Sequence, residues 1–279
     1  MTVKDVLVAL TSYPEPTPIE VIDDAVSFAT FFNAHITAIA CEARVEVPGN
    51  LLGGMLIDVA GMAASEARKS LNNAEDLLAA FGVRAEKAKL LHEKILERCV
   101  TYKVSDTLVD CARLRDITIV SVPATDDQWF AEAVIFGSGK PTLVIPERRR
   151  AKMFALTTIV IAWDFSRAAA RAVADAMPVL KKAKQVRIVT VVNEKEFRGG
   201  HAAEELAKNL LRHGVDTAID EVDATKRPVA EVLESYVVSC GADVLVMGAY
   251  GHSRVREFIL GGATRSLLAN PPLPIMFSH

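Results

Sequence analysis

Shortages come first in this chain, because each one removes a class of protein. No run of about eighteen uncharged apolar residues occurs, so no segment reads as a membrane span. Only four cysteines are present, Cys41, Cys99, Cys111 and Cys240, widely spaced and without a CxxC pair. They read as free thiols of a reducing, cytoplasmic compartment, not as a disulfide framework or a zinc site. A metal site of Cys41, His35 and His92 can be drawn and is set aside. The formal charge of −3 offers no general attraction to nucleic acid. The six histidines form no HxxEH or HExxH pattern, and GxSxG, HIGH-like and SGGxDS-like segments are all missing. No paired-carboxylate signature shows either, so no catalytic residue can be named.

Aromatics make up 6% of the chain and apolar residues 51%, so Ala, Val, Leu and Ile must build the core. That suits parallel strands covered by helices on both faces. Met1 to Leu10 reads as a strand, not a leader peptide. An internal repeat organises the rest. The strand from Val3 to Leu10 and the strand from Leu156 to Trp163 align with Ala9 on Ala162 and Thr11 on Asp164. Each is followed by helix, strand, helix, strand, helix, strand.

In the first half the later strands are expected at Ile36 to Ala40, Arg84 to Leu90, Ile117 to Val122 and Thr142 to Ile145. Helices are expected at Pro18 to Phe32, Val59 to Phe81 and Cys99 to Leu114. In the second half the strands are expected at Gln185 to Val192, Val215 to Val222, Val244 to Met247 and Ile275 to Ser278. Its helices are expected at Arg167 to Lys182, Ala202 to His213 and Pro228 to Cys240. Pro141 and Pro274 precede the two last strands, where no ladder donor is needed. The reading is an α/β chain of two tandem, five-stranded, parallel-sheet, Rossmann-type domains, residues 1–147 and 153–279. The two sheets are expected to be separate and packed as a pseudo-two-fold pair, last strands near the interface. The charged segment Pro146 to Lys152 reads as a solvated linker.

Chemistry concentrates in the second half. After the strand ending at Met247 the chain reads Gly248-Ala249-Tyr250-Gly251, and nine residues later Gly261-Gly262-Ala263-Thr264 opens a last short helix through Leu268. Gly248 and Gly251 allow unusual φ/ψ and a close ligand approach. Gly261 and Gly262 place free N–H groups at a helix N-terminus, which favours an anion. Ser253, Arg254 and Arg256 add donors. Such a loop lies at the carboxyl edge of a parallel sheet, where open α/β folds bind ligands. Asp164 lies at the same edge and suits a ribose or an adenine amine; alternatively it caps the helix starting near Ser166.

Gly248-x2-Gly251-x9-Gly261, Asp164-x-Ser166 and the proline-preceded last strand resemble the universal stress protein family. The resemblance extends over both halves, as in a tandem member with an adenine-nucleotide-hydrolase-like fold. It implies a stress-response regulatory protein that binds ATP or another adenine nucleotide, with or without Mg²⁺, through Asp164, Gly248, Gly251, Ser253, Arg254, Gly261, Gly262 and Thr264. It implies at most slow ATP hydrolysis, an unidentified protein partner, and an intramolecular pseudo-dimer with a homodimer as the alternative. In ATP-binding members the pattern continues Gly-Ser or Gly-Thr. Here Gly262 replaces the hydroxyl residue, costing one phosphate hydrogen bond, unless a positive φ at Gly262 demands glycine.

The first half lacks the loop. Ser121 aligns with Gly248, and Ser121 to Pro141 is 20 positions against 26 from Gly248 to Pro274. Its residues Pro123 to Trp129 hold no glycine and two acids, so it is not expected to bind a nucleotide. Gly137-Ser138-Gly139-Lys140-Pro141-Thr142 fails as a Walker A motif at Val134 and Pro141. The apolar segment Leu51 to Ile57 supports a competing function: a nucleotide-independent interaction scaffold.

Overall fold

The computed structural model describes residues 2–44, 59–123, 128–147, 153–192, 202–249 and 262–279. Strand β1 (Asp5–Leu10) is buried along nearly its whole length, as an apolar run covered on both faces must be. It is followed by α1 (Ile19–Phe32), β2 (His35–Arg44), α2 (Val59–Lys87), β3 (His92–Val100), α3 (Val104–Arg113), β4 (Ile117–Val122), α4 (Trp129–Gly137) and β5 (Thr142–Pro146). The second half repeats this with β6 (Thr158–Ala162), α5 (Arg167–Leu180), β7 (Gln185–Val192), α6 (Ala202–Arg212), β8 (Thr217–Asp223), α7 (Val229–Ser239), β9 (Val244–Gly248), α8 (Gly262–Ala269) and β10 (Ile275–Ser278).

All ten strands form one sheet, ordered β3-β2-β1-β4-β5-β10-β9-β6-β7-β8. Within each half the pairing is parallel and the order is that of a Rossmann domain, with the reversal between the first and fourth strands. The expectation of two separate sheets is therefore corrected. β5 and β10 pair antiparallel, Val144 opposite Ile275, Leu143 opposite Met276 and Thr142 opposite Phe277. In the repeat Leu143 corresponds to Met276, so this register is the one that a two-fold axis through that pair generates. The joint removes two sheet edges that would otherwise carry unpaired backbone groups.

Both core layers run across the joint. On one face α1, α2, α5 and α6 share a continuous apolar cluster; on the other, α3, α4, α7 and α8 share a second. Phe154, just after the linker, packs edge-on against Phe28 and Phe31 of α1, at 5.9 and 6.3 Å between ring centres. Asp116 and Asp243, aligned by the repeat, have the same task. Asp116 accepts the N–H groups of Lys4 and Asp5, and Asp243 those of Thr157 and Thr158.

One strand lies elsewhere than expected. A strand is expected at Arg84 to Leu90, yet α2 continues to Lys87. Ala74, Leu77, Leu78, Phe81 and Ala85 are all buried at helical spacing, and that 3.6-residue stripe carries the helix past Phe81. The strand follows at His92–Val100, an edge strand largely open to water whose apolar signal is correspondingly weak. Helix α4 was not foreseen. Among the described residues no helix is long and apolar enough to cross a membrane.

Candidate functional site

The carboxyl ends of β6 and β9 form the switch point of the second half. The two strands are neighbours and parallel, with Ile161 opposite Val246, so both chain ends emerge at one edge. Gly248 is the last residue of β9 and Asp164 lies two residues beyond β6. Asp164 is exposed, and its Oδ1 accepts the N–H of Ser166 at 2.9 Å. Helix α5 is capped by Ser166, whose Oγ accepts the N–H of Ala169 at 3.0 Å. The serine is therefore the cap, and the aspartate shapes the turn that delivers it.

Gly248 is a glycine for a different reason from the one the sequence suggests. Its φ is not positive. A Cβ there would lie 2.5 Å from the carbonyl carbon of Ala168 and 2.6 Å from the nitrogen of Ala169. The first turn of α5 rests directly on it, so the strand end needs space more than conformational freedom. Gly262 is exposed, opens α8, has an ordinary φ, and has nothing within 4 Å of a built Cβ. The suspected positive φ is absent there. Thr264 is buried in the first turn of α8. Gly251, Ser253, Arg254, Arg256 and Gly261 lie outside the described residues.

The two halves differ in charge where their helices begin. Helix α1 carries Glu20 in its first turn and α4 carries Glu132. Their counterparts α5 and α8 carry no acid in the first turn. Instead α5 starts on Arg167, and Arg265 sits early in α8, both exposed. A helix N-terminus is partly positive, so an acid there is favourable and an arginine is not. In the first half that positive end is met by the chain's own carboxylates. In the second half neither helix has a carboxylate in its first turn. Neither arginine is among the expected site residues, although both helix starts are, because each shows only in comparison with the acid in the first turn of its counterpart.

At the matching edge of the first half, side chains tie to one another. Thr11 N–H donates to Thr17 Oγ1 at 2.8 Å, and Asn73 Nδ2 donates to the Ser12 carbonyl at 3.0 Å. Ser12 Oγ donates to the Cys41 carbonyl and also contacts Ser70 Oγ. Ser121, in the position of Gly248, donates to Glu147 Oε1 at 2.7 Å. Burial pushes the Glu147 carboxyl up, opposed by that hydrogen bond. The Walker-like residues form the turn into β5, with Gly139 at φ +66, at the amino edge of the sheet. Leu51 to Ile57 lie outside the described residues.

A second polar cluster lies on the α7 face: Arg187, Asp220 and Tyr236, with the Tyr236 hydroxyl donating to Asp220 Oδ2 at 2.7 Å. Burial, then the hydrogen bond to Asp220, pushes the Tyr236 phenol up to about 12. This network ties β7, β8 and α7 together. Among the described residues no group of His, Cys, Asp and Glu is arranged to hold a metal.

The sequence profile of the universal stress protein family matches residues 156–279. No protein of curated function matches the chain. Among solved structures, a universal stress protein from Archaeoglobus fulgidus superposes with a TM-score of 0.69 at 15% identity, covering 98% of this chain and 97% of that one. A universal stress protein candidate from Pseudomonas aeruginosa gives 0.59 at 12% identity, covering 99% and 93%. A protein of unknown function from Pseudomonas aeruginosa gives 0.56 at 14%, covering 99% and 92%. At these identities the likeness concerns the fold alone, and it extends over both halves.

Proposed function

We propose that this chain, a member of the universal stress protein family through residues 156–279, is a regulatory protein that binds an adenine nucleotide in its second domain only. The observation that carries this reading is the asymmetry at the carboxyl edge. In the second half an exposed Asp164 follows β6, Gly248 ends the neighbouring β9, and α5 and α8 carry Arg167 and Arg265 near their starts with no acid in their first turns. In the first half the corresponding ties run between the chain's own side chains, and its helix starts carry Glu20 and Glu132.

The donor set fits an adenylate. Main-chain N–H groups at the start of α8 suit phosphate oxygens, and the arginines add charge-assisted donors. The Asp164 carboxylate accepts from ribose hydroxyls or an exocyclic amine. Magnesium, if it accompanied the nucleotide, would offset part of the phosphate charge. The role we propose is sensing, with slow hydrolysis as its limit. Nucleotide would then alter the surface at this edge, which an unidentified protein partner could read.

Heating the protein with and without Mg-ATP tests the proposal. At 100 times the dissociation constant the ligand should stabilise by about 2.7 kcal/mol. Gly251→Val should abolish that gain without unfolding the ligand-free protein. An unchanged melting temperature at millimolar Mg-ATP sinks the proposal.

A further inference from the structure

We infer that Phe165 is the wall against which the purine base stacks, an assignment that rests on the nucleotide reading above and adds its base-side contact. Phe165 has φ +58, a left-handed conformation that glycine and asparagine adopt readily and a bulky residue does not. The turn made by Asp164 and Ser166 explains the backbone conformation but not the choice of a phenyl ring. Burial does not explain it either, because the residue is 61% exposed. Among the described residues its ring partner is Trp163, met edge-on at 6.1 Å and 78°. Trp163 is itself buried, and its indole N–H finds no acceptor among the described residues, a second local cost at the same strand end.

The repeat supplies an internal comparison. Ser12 occupies the corresponding position after β1, where the chain is buried, has no positive φ, and points its hydroxyl inward to the Cys41 carbonyl and Ser70. One fold, at one position, thus has an inward tie in the half with acidic helix starts and an outward ring in the other. Strain and unpaired donors that local packing does not offset collect at ligand sites. An exposed ring beside an acceptor carboxylate suits a base, which needs a flat surface for its π face and a partner for its amine.

Calorimetry with Mg-ATP and with inorganic tripolyphosphate on Phe165→Asn, Phe165→Ala and Phe165→Trp tests this. Asparagine keeps the left-handed backbone and removes only the ring. Loss of base stacking should weaken ATP binding about tenfold or more in the Asn and Ala variants. The Trp variant should stay near wild type, and tripolyphosphate affinity should not change across the series. The ligand-free Asn variant should melt at or above wild type, because the strained backbone is retained by a residue that prefers it. Wild-type ATP affinity in the Asn variant, or equal loss of ATP and tripolyphosphate, overturns the inference while leaving the nucleotide site standing. Failure of the wild-type protein to bind either ligand refutes the nucleotide reading itself, and this one with it.

Discussion

Replacing Gly248 by alanine separates the two reasons a strand can end in glycine. If the glycine serves only a ligand, the ligand-free protein should not notice a methyl group. The structure says otherwise: the new Cβ would sit 2.5 Å from the Ala168 carbonyl carbon, 2.6 Å from the Ala169 nitrogen and 2.7 Å from the Ala168 Cβ. Two of these are backbone atoms of the first turn of α5, which cannot swing aside as a side chain can. Overpacking costs about 1–3 kcal/mol, and a backbone obstacle belongs at the upper end. Alanine recovers about 0.4–1 kcal/mol by restricting the unfolded chain. The net loss should be about 2 kcal/mol, a drop of about 4–8 °C in Tm for a protein near this size. Differential scanning calorimetry without nucleotide measures it. Gly262→Ala is the control, with open space and an ordinary φ, and should be neutral or slightly stabilising. A Gly248→Ala protein that melts with the wild type would refute the contact argument.

Gly262→Ser should tighten Mg-ATP binding, since the added hydroxyl meets no obstacle and a hydrogen bond to a charged group is worth about 1.5–3 kcal/mol at best; equal or weaker affinity by calorimetry would count against phosphate at that helix start. Asp243→Ala should lower stability in urea by about 1–3 kcal/mol, because the buried Thr158 N–H loses its acceptor; an unchanged midpoint would refute that assignment. Glu147→Gln should alter the pH dependence of stability. The folded carboxyl is raised above its unfolded value, so its contribution is fully present below the unfolded pKa and is lost as pH rises through the folded one. The variant should therefore gain on wild type as pH rises from the ordinary carboxylate range toward neutrality, and parallel melting curves across that range would rule the effect out.

Much of the architecture is legible in the residues alone. The repeat, the parallel order and strands such as Ile117–Val122, Gln185–Val192 and Ile275–Ser278 follow from short buried apolar runs, whose signal is local. The start of α5 is legible too, though the cap expected of Asp164 is made by Ser166, two residues on. Arg84 to Leu90 misleads because, taken by itself, it says nothing of the helical stripe that extends into it from Ala74. What only the tertiary structure decided are contacts between residues far apart in sequence. The pairing of Leu143 with Met276 joins two sheets into one, and the strands' composition is the same whether they pair or stand as edges. The α5 backbone against Gly248 turns an expected need for unusual φ/ψ into a packing requirement. Phe165 carries no motif of its own. Its positive φ and outward ring emerge only once Trp163 is packed beneath it and the Asp164 turn bends the chain, because exposure and strain belong to the assembled fold and not to any window of sequence.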